Sequence, residues 1–125
     1  MNVLIVDDSK LARMAVSKLF VQLRPDWTRR EASNAEEALA ALQDFSPDLA
    51  LLDFNMPGRD GLSLAADLRR LCPEAELAVL SANEQQEVVA GAGAVGAAFL
   101  SKPITLANLQ ALLERTFPAS PQAAS

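Results

Sequence analysis

The sequence predicts an α/β domain: a five-stranded, doubly wound parallel sheet with helices on both faces. Three observations predict it. The apolar runs Val3–Val6, Leu49–Leu52, Leu77–Leu80 and Ala97–Leu100 carry no polar alternation, the pattern of strands covered on both sides. The segments between them repeat apolar residues at helical spacing. Strand-then-helix order, repeated along the whole chain, requires parallel pairing and helices above and below the sheet.

Each element can be justified in turn. After the first strand, Ser9 or Asp8 can cap a helix on which Leu11, Met14, Ala15, Lys18 and Leu19 keep helical spacing. Thr28–Ala32 is more polar and reads as an edge strand. Asn34 precedes "AEEALAAL", with acids in the opening turn and Ala38, Leu39 and Leu42 in phase. Leu62, Ala65, Leu68 and Leu71 mark the third helix, and Leu106, Leu109, Leu112 and Leu113 the last. Pro25, Pro47 and Pro73 fall where a helix should already have ended. The segment "NEQQEVVAGAGAVG" has two readings. Gly91 and Gly93 lie inside a helix and loosen it, at about 1 kcal/mol each relative to Ala, or Gly91 ends it. Residues 1–117 form the expected domain, and 118–125, "PASPQAAS", read as a frayed tail or the start of a linker.

Composition removes several function classes. At 125 residues the chain can bury one real core. Its 11 basic and 16 acidic residues leave a net charge of -5 with no basic patch, which argues against direct nucleic-acid binding. The pairs Arg29–Arg30 and Arg69–Arg70 read as solvated surface. Cys72 stands alone, so no intrachain disulfide forms and a reducing, cytoplasmic setting is expected; it reads as a small apolar residue near a helix end. There is no histidine, which excludes histidine acid/base chemistry, histidine metal ligation and the Ser/His/Asp triad. The apolar run Val88–Leu100 is too short to span a bilayer and reads as core, so no membrane association is expected. The first apolar run has no basic leader before it and reads as a strand rather than a signal peptide.

In such a fold a ligand sits outside the carboxyl ends of the strands. Asp7 and Asp8 follow the first strand, and Asp53 and Asn55 end the third. Ser81, Ala82 and Asn83 follow the fourth, and Ser101, Lys102 and Pro103 the fifth. Singly, each has an ordinary explanation: a helix cap, a turn residue, a loop. Together they bring carboxylates, a hydroxyl and an ammonium to one crevice. Clustered carboxylates repel unless a cation joins them, and an all-oxygen set suits Mg²⁺. A divalent ion beside a lysine and a hydroxyl is what a phosphoryl group needs around its oxygens. A carboxylate can itself be the nucleophile, and Asp53 is the central one.

The motifs "LIVDDS", "DLALLDFNMPGRDG", "LAVLSAN" and "AAFLSKP" resemble those of receiver domains of two-component response regulators, from Asn2 to about Phe117. The resemblance, which extends to single-domain receivers of the chemotaxis-regulator kind, implies a flavodoxin-like sheet of strand order 2-1-3-4-5. It implies Asp53 as phosphoacceptor and a Mg²⁺ (or Mn²⁺) site. The ion would be held by Asp8, Asp53 and the backbone carbonyl of Asn55, with Asp7 acting through water. By the same match Lys102 contacts the phosphoryl oxygens, while Ser81 and Phe99 take the switch positions. Asn55 and Asn83 stand where family side chains modulate water access. The Pro57/Gly58 turn would carry the chain over the site, and Gly61 would let the backbone enter the next helix. Implied partners are a sensor histidine kinase or phosphotransfer protein, and a downstream protein target or fused output domain. The fourth helix, fifth strand and fifth helix would form the output surface, in a monomer or a weak homodimer. Such a protein catalyses only its own phosphorylation and dephosphorylation and is not an enzyme acting on others.

Two rivals remain. A doubly wound flavin module needs a Ser/Thr/Gly-rich phosphate loop and stacking aromatics; "VDDSK" puts two negative charges there, and Trp27 is the only large indole. A constitutive interaction module would not need the full acid set.

Overall fold

The computed structural model describes residues 1–56, 60–82 and 86–117. The elements run β1 (Asn2–Val6), α1 (Lys10–Leu23), β2 (Thr28–Ala32), α2 (Ala35–Ala41), β3 (Leu49–Asp53), α3 (Gly61–Leu71), β4 (Glu76–Ser81), α4 (Gln86–Ala94), β5 (Ala97–Ser101) and α5 (Leu106–Thr116). The strands pair in parallel in the order β2-β1-β3-β4-β5. Register sets the strand ends side by side: Val6 opposite Leu52, Asp53 opposite Leu80, Ser81 opposite Ser101.

Because side chains alternate along a strand, the sheet feeds two cores. Leu4, Val6, Ala50, Leu52, Leu77 and Val79 face one side, against buried residues of α2, α3 and α4. Val3, Ile5, Leu49, Leu51, Ala78 and Leu80 face the other, against Val16 and Phe20 of α1 and Leu109, Leu112 and Leu113 of α5. Trp27 closes the second core between Phe20, at 5.9 Å between ring centroids, and Phe117, edge-on at 5.3 Å.

Helix starts are chemically specified. Ser9, not Asp8, caps α1 by accepting from the amide of Ala12, and Asn34 caps α2 by accepting from that of Glu37. Asp60 and Thr105 cap α3 and α5 in the same way. The three prolines sit past their helices, as their spacing indicates.

Three expectations change, and one reading left open is decided. The α1 stripe is not the one the spacing picked out: Val16 and Phe20 are buried, with Leu19 and Leu23 packed beside them, while Leu11 is 78% and Met14 42% exposed. Two apolar stripes interleave on this helix, and the bulkier one takes the core. Strand β5 is flanked by both cores, Ala97 and Phe99 packing on one and Ala98 and Leu100 on the other, but as the second edge of the sheet all of its residues stay half-buried rather than buried. Arg69 is not solvated surface. Its guanidinium donates to the carbonyls of Val95 and Gly96 beyond α4 and of Pro73 and Ala75 before β4. Arg30 does stay at the surface, its side chain 39% exposed, lying over the Phe45 ring and pairing with exposed Asp44. Finally, Gly91 does not end α4, which continues to Ala94.

The two α4 glycines differ. A Cβ on Gly91 would lie 2.6 Å from Leu62 Cδ1, so α4 and α3 approach each other there; a Cβ on Gly93 would meet nothing within 4 Å. Gly93→Ala is expected to stabilise the protein by about 1 kcal/mol, the helix-propensity difference. Gly91→Ala should lose most of that gain to displacement of Leu62. Urea unfolding of both variants checks this, and an equal gain for the two would contradict it.

Candidate functional site

Asp7 and Asp53 leave the carboxyl ends of neighbouring central strands, and both are buried, at 7% and 5% exposure. Asp8, one residue on, is exposed. One carboxylate oxygen from each of Asp7, Asp8 and Asp53 lies within 4.8 Å of the others. The cluster the strand ends imply is therefore present.

Lys102 reaches across the group. Its Nζ stands 3.0 Å from Asp7 Oδ2 and 2.9 Å from Asp53 Oδ1. The Ser9 amide donates to Asp7 Oδ1 at 2.9 Å, and that of Asn55 to Asp53 Oδ1 at 3.3 Å. The backbone delivers Lys102 through a bond from its amide to the Ser81 carbonyl, and the Lys102–Pro103 peptide is cis. Burial, opposed by the Lys102 hydrogen bond and reinforced by the Asp7 charge, holds the Asp53 carboxyl above its ordinary value. Burial alone would lower Lys102; hydrogen bonds and charges from Asp53 and Asp7 outweigh it and raise its pKa.

The other expected residues lie on the same strands or just beyond them, where they are described. Ser81 is fully buried at the end of β4, and Phe99 is half-buried on β5 opposite Val79, packed against the core beneath α2, α3 and α4. Asn55 is exposed. Asn83 and the Pro57/Gly58 turn lie outside the described residues. Gly61 has a steric reason to be glycine: a Cβ there would stand 2.5 Å from the Asp53 carbonyl oxygen and 2.9 Å from Phe54 Cα. Its amide bonds the Phe54 carbonyl, so α3 begins directly against the strand that carries Asp53.

Sequence reasoning missed two features. Arg13, one turn into α1, sends Nη1 back to the Asp7 carbonyl at 2.6 Å and Nε to Glu31 at 3.0 Å. Its position four residues after the Ser9 cap was a visible signal, since that places it over the β1–α1 turn. Beside the acids, a mostly apolar groove of about 280 Å³ is lined by Ala12, Ala15, Val16, Leu80, Pro103 and Ile104 among others. The small side chains of Ala12 and Ala15 leave it open. Trp27 is packed in the core at the opposite end of the strands, where it cannot stack a flavin at the acidic end.

Comparison with known proteins agrees with this arrangement. A sequence model of the response regulator receiver domain matches residues 3–114. The chain is similar to the positive alginate biosynthesis regulatory protein of Pseudomonas aeruginosa, 43% identical over 92% of this chain, but spans only 46% of that regulator. It spans 41% of the nitrate/nitrite response regulator protein NarL of Escherichia coli, at 36% identity over 70% of this chain. Against the chemotaxis protein CheY of Bacillus subtilis it is 30% identical, covering 92% of this chain and 96% of that one. The chain thus spans less than half of the first two relatives and nearly all of the third. Among solved structures, the receiver domain of NtrX from Brucella abortus superposes with a TM-score of 0.82 at 30% identity, over 94% of this chain and 99% of that one.

The raised Asp53 pKa has a stability consequence. Its ionised form is held less well in the folded chain than in the unfolded one, so at neutral pH the carboxylate opposes folding. Without divalent ions, Asp53→Asn is expected to raise stability at pH 7, read as a higher Tm than the unaltered protein. The gain should vanish as pH falls below the ordinary aspartate value of 3.8, where the carboxyl is neutral in both states. Thermal unfolding across pH in chelator checks both the sign and the window.

Proposed function

This chain belongs to the response regulator receiver domain family, and on that premise we propose that Asp53 accepts a phosphoryl group and that the chain relays a two-component signal. The observation that carries the reading is the Lys102 ammonium within 3.0 Å of both Asp7 and Asp53, beside a third carboxylate at the same carboxyl end of the sheet. A buried carboxylate with a cation aimed at it is a nucleophile whose charge, once spent on phosphorus, is replaced by phosphoryl oxygens that the same cation can meet.

In the transfer, an Asp53 carboxylate oxygen forms a bond to phosphorus as the donor's phosphorus–nitrogen bond breaks. The departing imidazole nitrogen keeps the electron pair and takes a proton from solvent. The donor histidine must come from a separate sensor kinase or phosphotransfer protein, because this chain has none. Lys102 would turn from the carboxylates to the phosphoryl oxygens. The all-oxygen donor set fits a hard cation. Mg²⁺ or Mn²⁺ would be held by Asp8, Asp53 and the Asn55 carbonyl, with Asp7 through water. When bound, the ion supplies positive charge that offsets the carboxylates and the incoming phosphate. The protein acts only on itself in this scheme, and the reaction belongs to the cytoplasm, where its single thiol stays reduced.

The new phosphoryl oxygens would draw the Ser81 hydroxyl and Lys102, with Phe99 following on β5. Output would pass through α4, β5 and α5 to a protein target, a fused output domain or a second copy in a weak homodimer. The large apolar side chains of Val89 on α4 and Leu106 on α5, 43% and 41% exposed, support that surface. Asn55, and Asn83 beyond the described residues, are neutral and polar, so they neither shield an acyl phosphate strongly nor act as bases. A phosphorylated state of intermediate lifetime follows.

A small-molecule acyl phosphate with Mg²⁺ is expected to label the chain once, and hydroxylamine to remove the label, as read by intact mass. Asp53→Asn should abolish labelling, and Asp8→Ala should slow it roughly tenfold or more, the scale for weakened metal support. Hydroxylamine-resistant labelling of Asp53→Asn would overturn the assignment. Amide hydrogen exchange with a phosphoryl mimic should respond most at Ser81, residues 84–96, Phe99 and the start of α5. A response confined to α2 would contradict the proposed output surface.

A further inference from the structure

We infer that Arg13 is the positioning residue of the acid pair: held between the Asp7 carbonyl and Glu31, it fixes the β1–α1 turn and thereby the divalent-cation affinity of the site. This rests on the metal-binding reading given above.

Asp7 is tied down from every side. Its amide donates to the Ala32 carbonyl, its carboxylate accepts from Ser9 and Lys102, and its carbonyl accepts from Arg13. Asp8 is different. It is exposed, and its carboxylate makes no hydrogen bond or ion pair among the described residues. Its backbone is therefore the one constraint that the described residues place on it. The Asp7 carbonyl and the Asp8 amide share one rigid peptide plane. A donor that fixes the carbonyl fixes that plane, and with it the start of the Asp8 side chain.

Arg13 is suited to the task. Nη1 stands 2.6 Å from the Asp7 oxygen, and Nε stands 3.0 Å from Glu31 Oε1 on the edge strand β2. The side chain is only 14% exposed. Two contacts from one planar guanidinium fix its orientation as well as its position; an ammonium on a flexible stem cannot reproduce both. Glu31 also offsets the arginine charge, which would otherwise oppose a cation a few atoms away.

Charge and positioning predict opposite signs, which makes the inference testable. If Arg13 were only a nearby positive charge, removing it would tighten Mg²⁺ binding. If it positions Asp8, removing it loosens binding. Calorimetric titration of Mg²⁺ into the unaltered protein, Arg13→Gln and Arg13→Lys, at fixed pH and ionic strength, decides between them. Circular dichroism in chelator checks that each variant is folded.

Both variants are expected to bind Mg²⁺ roughly tenfold more weakly, the low end for loss of a group that orients a metal ligand. Unchanged or tighter binding by Arg13→Gln overturns the inference. So does wild-type affinity in Arg13→Lys, which keeps the charge and loses the fork; that variant also decides the matter should Arg13→Gln not fold. No Mg²⁺ binding by the unaltered protein removes the metal site and this inference together. Mg²⁺ binding without Asp53 labelling removes only the phosphoacceptor reading.

Discussion

The structure depends on one electrostatic constraint: carboxylates gathered at the carboxyl end of a single sheet, held together by an ammonium. Asp7 and Asp53 are almost fully buried, and the Asp7 charge adds to the cost of ionising Asp53. Lys102 lies within 3.0 Å of both. Burial still wins at Asp53, whose carboxyl remains above its ordinary value despite the lysine. The site is thus incompletely compensated by the lysine alone.

Everything around the acids serves to hold them against that repulsion. Parallel register puts β1 and β3 side by side, so Asp7 and Asp53 follow from paired residues Val6 and Leu52. Alternation then sends the strands' apolar side chains into two separate cores, which anchor the strands from both faces. Gly61 lets α3 start in van der Waals contact with the Asp53 carbonyl, and Arg13 ties α1 to the Asp7 carbonyl. Arg69 performs a similar task away from the site, gathering four carbonyls where α3, β4 and the end of α4 meet.

The central strands and their polar ends were legible in the sequence because both signals are local: an apolar run, then a carboxylate, hydroxyl or lysine. So were the helix starts at Ser9 and Asn34, where a short polar side chain must meet a free amide. What the sequence concealed was partnership. Spacing on α1 fits two stripes, and only packing against β1 and Trp27 chooses Val16 and Phe20 over Leu11 and Met14. "AAFL" in β5 is as apolar as a central strand, and nothing local marks it as an edge. Arg13 and Arg69 were missed because a long side chain reaches carbonyls distant in sequence, and a paired-arginine motif looks the same whether solvated or buried.

The central claim, that the acid cluster is stabilised by whichever cation it holds, is tested most directly by thermal unfolding of Lys102→Met with and without Mg²⁺. The account predicts a lower Tm than the unaltered protein in chelator, because the carboxylates lose their ammonium, and a larger rise when Mg²⁺ is added. An unchanged Tm in chelator, or no response of either protein to Mg²⁺, would contradict it.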